Sequence, residues 1–128
     1  MIEHIGGPVL RGGQAQPITP VIRVDAPLVF VAGQVPMVNG KPAAPDIAGQ
    51  TRCVIGMVDA ELKKAGCSLA DIVKVTVWLT DKEDYPAFNA AYAEIFGTAR
   101  PPTRSTVISD LIAPVRIEME VVAAGRHA

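Results

Sequence analysis

The segment DIVKVTVWLT at residues 71–80 sets Val73, Val75, Val77 and Leu79 on alternate positions, so in an extended backbone all four lie on one face. That face has to be buried. On both sides of it the apolar period changes. Over residues 46–65, Ile47, Val54, Val58, Leu62 and Ala65 fall close to one stripe, with Asp46 placed to cap the start and Gly66 just past the end, which predicts a helix. A second helix is predicted over residues 85–96, carrying Phe88, Tyr92, Ile95 and Phe96 and stopping at Gly97.

The remaining strands are read by the same period-two rule. Val21 to Val24 and then LVFVAG at 28–33 predict two adjacent strands, the second continuous enough in apolar residues to be buried on both faces, followed by a turn at VNGK. PPTRSTVISDLIAPVRIEMEVVAA at 101–124 reads as two strands joined by a short turn. Residues 1–20, with four of the eleven glycines, read as turns and at most one short strand. The order β-β-α-β-α-β-β, with both helices on one side of a mixed or mostly antiparallel sheet, is an α+β two-layer domain spanning residues 1–128. Its helix-free face still carries apolar residues, so self-association is expected to cover it.

Charge narrows the partners. The chain has 12 Lys and Arg against 13 Asp and Glu, a formal net charge of -1, and its basic residues never form a run. Neither nucleic acid nor an anionic membrane is the expected partner. The start, MIEHIGGPVLRGG, has no apolar stretch long enough for a signal-peptide core, so a cytoplasmic protein is expected. Cys53 and Cys67 fit reduced packing residues better than a disulfide framework.

The charges of the last two strands raise the question of function. With side chains alternating, Val115, Ile117, Met119 and Val121 point one way, while Arg116, Glu118, Glu120 and Val122 point the other. The two glutamates are then about 7 Å apart on one face, and Arg104, Thr106, Ile108 and Asp110 share a face of the preceding strand. One reading is a solvated face laced by cross-strand ion pairs. The other is a small anion site, in which Arg104 grips a carboxylate by a two-pronged fork and a neighbouring glutamate orients or deprotonates water. Two prolines stiffen the approach to Arg104, whereas Arg100 reads as solvent-facing.

Other chemistries lack their parts. His4 and His127 have no companion at metal-ligand spacing, so no metal is expected. GQVPMVNGK lacks the spacing of a phosphate loop. Ser105 and Ser109 have no His placed to activate them. Trp78 and the Phe88, Tyr92 and Phe96 set are read as core.

Three stretches in order, LVFVAGQVP at 28–36, AGCSLADIVKVTVWLTDKEDYPAFNAAYAEIF at 65–96 and the segment at 101–124, resemble the Rid (RidA/YjgF) family of reactive-intermediate enamine/imine deaminases. The resemblance runs from about residue 21 to residue 124. It implies a chorismate-mutase-like fold, a homotrimer whose sheets form a central barrel, and clefts between neighbouring subunits. It implies cofactor-free hydrolysis of 2-imino and 2-enamino acids to 2-oxoacids and ammonia. Residue by residue, it makes Arg104 the carboxylate clamp and Glu118 the group that positions water. It sets the Gly33 backbone against the substrate nitrogen and makes Asn89 a cleft residue, and it assigns nothing to Glu120. The chain departs from the family pattern at Val21, where a Tyr is common, at Ala32 in place of Ser, and at Thr106 in place of Cys, where the Thr hydroxyl is a candidate replacement donor. Each lost polar partner costs about 1–3 kcal/mol in a desolvated site, so either the substrate differs or activity on the smallest imines is low. A non-catalytic module binding a carboxylate metabolite in the same clefts is the alternative reading. Cleavage of nucleic acid, or inhibition of translation, lacks its basic stripe.

Overall fold

The computed structural model describes residues 1–125; His127, read above as no metal ligand, lies outside the described residues. The strands are β1 (Ile2–Ile5), β2 (Leu10–Arg11), β3 (Gln14–Ala15), β4 (Val21–Val24), β5 (Leu28–Gln34), β6 (Met37–Val38), β7 (Lys41–Pro42), β8 (Ile72–Leu79), β9 (Thr103–Ile108) and β10 (Ile117–Ala124), with helices α1 (Ile47–Lys64) and α2 (Tyr85–Phe96) between them. The main sheet has the order β5-β10-β8-β9, antiparallel except for the β8–β9 pair. Among the described residues no helix is long and apolar enough to cross a membrane.

Local chemistry accounts for the boundaries. The Asp46 carboxylate accepts from the Gly49 amide at 3.2 Å and caps α1, while Lys63 and Lys64 face the carbonyl end of the helix dipole. Gly66 and Gly97, past the two helices, take φ of +74° and +68°, a conformation that costs a side-chain-bearing residue energy. Asn39 and Gly40 are both in the left-handed region, at +52° and +78°, which is the turn that closes the β6–β7 hairpin.

The core forms where one face of the sheet meets both helices. Val75, Val77, Leu79, Ile117 and Met119 pack there against Val54, Val58 and Leu62 of α1 and Phe88 and Tyr92 of α2. Fully burying one Leu or Val contributes about 1.5–3 kcal/mol, so this shared face holds the two layers together. Gln50, itself buried, bridges them: it donates to the Ala44 carbonyl and accepts from the Arg116 amide.

Six expectations need correction. β9 and β10 do not form a hairpin; β8 lies between them, because α2 returns the chain parallel to β8 and residues 109–116 then cross to its other side. β4 pairs with β1 rather than with β5, and the first twenty residues hold three short strands. β5 is an edge strand buried on one side only, with Phe30 73% exposed on the other. Trp78 points to that same helix-free side and is half-buried, outside the core. Arg116 precedes β10 instead of joining its outer face: its guanidinium grips the buried Asp84 by two bonds of 3.0 and 2.7 Å. Period-two spacing fixes which residues share a face but leaves open which strands are neighbours.

Candidate functional site

β9 and α2 together build a cationic pocket. The β8–β9 register pairs Arg104 with Val75 and Thr106 with Val77, so both side chains point toward the helix layer. They meet α2 there. Tyr85, Phe88, Asn89 and Tyr92 follow i, i+3, i+4 and i+7 spacing and present one helix face to the guanidinium. Arg104 donates to Asn89 Oδ1 at 2.8 Å and to the Tyr85 hydroxyl at 2.7 Å, and it lies over the Tyr92 and Phe88 rings at 4.7 and 5.1 Å from their centroids. Burial pulls its pKa below the ordinary arginine value, which the Tyr85 and Tyr92 phenols partly oppose; the group stays charged. Its Nε is buried with no partner among the described residues, and so is Thr106 Oγ1. A buried charged donor left unpaired is costly, and it marks a place where an anion gains.

The N-terminal segment supplies the other wall. Gln16 accepts from Asn89 at 3.0 Å, and Arg11 donates to the Tyr85 hydroxyl at 2.9 Å. A cavity of about 280 Å³ is lined by Arg11, Ile18, Tyr85, Arg104, Ser105 and Thr106. A second, of about 490 Å³, shares Arg11, Ile18, Arg104 and Ser105 with it and adds Lys74 and Thr103. Among the described residues no carboxylate lines either cavity.

Gly33 and Glu118 lie elsewhere. β10 pairs Glu118 with Trp78 and Glu120 with Thr76, which puts both glutamates on the helix-free face of the sheet. Met119 pairs with Gln34 and Val121 with Val31, so Ala32 and Gly33 together oppose the single residue Glu120. This bulge bends β5 and presents the Gly33 backbone. The Glu118 carboxylate covers Gly33 so closely that a Cβ at that position would collide with it.

The proposed site residues therefore form two groups. Arg104, Asn89 and Thr106 come together beneath α2, Gly33 and Glu118 come together on the opposite face, and the sheet separates the two groups within one chain. Tyr85, Arg11 and Gln16 were missed by sequence reading. Tyr85 and Asn89 share a helix face, a signal that points at Arg104 once β9 is known to lie beside β8, whereas the glycine-rich segment holding Arg11 has no periodic pattern to read.

Two substitutions probe the groups separately. Gly33→Ala is expected to push the Glu118 carboxylate aside, lowering any Glu118-dependent activity by about tenfold or more while costing about 1–3 kcal/mol in stability. Thermal melts should recover most of that cost in the Gly33→Ala/Glu118→Ala double variant. Under Arg104, the Tyr92 hydroxyl is buried without a partner, and burial raises the phenol pKa above its ordinary 10.0. The unfolded chain then releases this proton first as pH rises, so the contribution to stability is complete below about pH 10 and declines above it, by up to about 1.4 kcal/mol per pH unit. Denaturant unfolding at pH 7 and pH 11 should show Tyr92→Phe at least as stable as the parent at pH 7 and less sensitive to alkali.

Comparison with known proteins agrees with this architecture. The family model described as Endoribonuclease L-PSP matches residues 14–125. A RutC family protein of Pyrococcus abyssi is 43% identical over 97 residues, covering 74% of this chain and 76% of its own. TdcF of Escherichia coli, whose name proposes a reactive intermediate deaminase, is 36% identical over 100 residues, covering 75% and 78%. The crystal structure of yeast Mmf1 superposes with a TM-score of 0.73 at 30% identity, over 98% of this chain and 100% of that one.

Proposed function

The chain belongs to the YjgF/Rid family, and on that premise we propose that it is a cofactor-independent hydrolase of 2-imino acids and their 2-enamino tautomers. The observation that carries this reading is Arg104: a half-buried guanidinium held by Asn89 and Tyr85, with a buried Nε that has no partner among the described residues, in the wall of a cavity that no described carboxylate lines. Such a group is built to receive an anion from outside the chain.

The chemistry needs little more. With its carboxylate on Arg104, an iminium substrate presents an electrophilic C2. Glu118 positions a water and accepts one of its protons as the oxygen bonds to C2. The proton passes to nitrogen, the C–N bond breaks with its electron pair leaving on nitrogen, and the hydroxyl proton goes back to Glu118 as the carbonyl forms, so that iminium plus water gives 2-oxoacid, ammonia and a proton. No nucleophilic side chain takes part; positioning and electrostatics supply the catalysis.

Because Arg104 and Glu118 lie on opposite faces, the reading requires a cleft between copies, with the arginine group of one subunit facing the Gly33–Glu118 group of the next in a homotrimer. The exposed Phe30 and Leu28 on the helix-free face support such an assembly. The test generates imines in place with an amino-acid oxidase while semicarbazide traps them competitively. Accelerated imine loss over the spontaneous rate supports the reading, and no acceleration across several amino acids overturns it. A binding module without catalysis, the second reading, is favoured by the absent hydroxyls at Val21 and Ala32; it predicts saturable 2-oxoacid binding without turnover.

A further inference from the structure

We propose that Arg11 determines specificity, forming with Arg104 a two-cation pocket that selects 2-imino acids carrying a second carboxylate on their side chain. The inference rests on the deaminase reading for the word imino, and on the pocket alone for the second carboxylate.

Arg11 and Arg104 donate to one and the same atom, the Tyr85 hydroxyl oxygen, at 2.9 and 2.7 Å. Two guanidiniums drawn to one neutral oxygen repel each other, and Arg11 indeed helps to depress the Arg104 pKa. A structural role would pair them with acids. Among the described ion pairs, Arg23, Arg52 and Arg116 each have a carboxylate partner, while Arg11, Arg100 and Arg104 appear in none, and of these three only Arg11 and Arg104 line the cavity. Both line the 280 Å³ cavity, and Lys74 adds a third cation in the larger adjoining space. With the Tyr85 oxygen accepting from both arginines, its own hydroxyl proton is directed to a further acceptor.

A single carboxylate, even where it bridges both guanidiniums as the Tyr85 oxygen does, neutralises only one of their two charges. A four- or five-carbon diacid compensates both within one cavity, which favours it over a neutral side chain of equal length. Lys74 lines only the larger of the two spaces, where its charge adds attraction for such ligands.

The experiment compares ligands in pairs. Calorimetric titration uses 2-oxoglutarate against 2-oxobutyrate, and turnover uses 2-iminoglutarate made by glutamate oxidase against 2-iminobutyrate made by an amino-acid oxidase. The parent protein is expected to favour the dicarboxylate by at least about tenfold. Arg11→Ala and Arg11→Gln should lower that dicarboxylate-to-monocarboxylate ratio by about tenfold, and Arg11→Lys should restore part of it. A parent without preference, or a ratio unmoved in both Arg11 variants, overturns the proposal. Arg11-dependent preference in binding with no turnover of any imine leaves the two-cation pocket standing and removes the deaminase reading. Turnover of monocarboxylic imines with no preference does the reverse.

Discussion

Arg104→Ala is expected to lower kcat/KM for 2-imino acids by about a hundredfold to a thousandfold, because a forked pair of charge-assisted hydrogen bonds is worth roughly 3–4 kcal/mol to the group it holds. The side chain also fills space over Phe88 and Tyr92 and satisfies Asn89 and Tyr85, so its removal costs stability as well. Arg104→Lys separates the two effects. It keeps a cation above the rings and most of the volume, but replaces a planar fork with a point charge. A melting temperature near the parent's, with most of the activity gone, is the expected result for Lys. Full activity in a folded Arg104→Ala protein would falsify the carboxylate clamp.

The reach of the sequence differs between elements for physical reasons. Val75, Val77 and Leu79 fall on the core face as their spacing requires, while a register shift near the start of β8 puts Ile72 in the core cluster in place of Val73, and Asp46 and Gly66 bound α1 because a cap and a left-handed carbon are local needs that local residues meet. Strand pairing is not local. The alternation in RSTVI and in IEMEVV is the same whether the strands are hairpin partners or are separated by β8, so the expectation of a hairpin set Arg104 beside Glu118. The β8 register instead turns Arg104 inward with Val75, and Glu118 outward with Trp78. The proximity of Gly33 and Glu118 was legible only through family resemblance, since it depends on a bulge opposite Glu120 that no composition rule anticipates. Arg11 was invisible because its placement comes from contacts with Tyr85, more than seventy residues away in the chain.

The separation of Arg104 from Glu118 leads to the second large effect, a gain instead of a loss. If each cleft takes its arginine from one copy and its glutamate from the next, Arg104→Ala and Glu118→Gln proteins are each inactive for different reasons, and each still owns the group the other lacks. Co-expressed or refolded together in equal amounts, subunits assort at random in a cyclic assembly. Roughly a quarter of the interfaces then join an intact Arg104 to an intact Glu118. Activity should rise from near zero in either variant alone to roughly a quarter of the parent's specific activity, and it should vary with the mixing ratio as the product of the two fractions. A chain carrying both substitutions, mixed with parent protein, should rescue nothing and instead dilute activity as the square of the parent fraction. Were both groups to act within one subunit, the mixed single variants would stay inactive at every ratio, and dilution by the double variant would be linear. The shape of these two curves decides whether the sheet that divides the groups in one chain is also what forces the chain to work as an assembly.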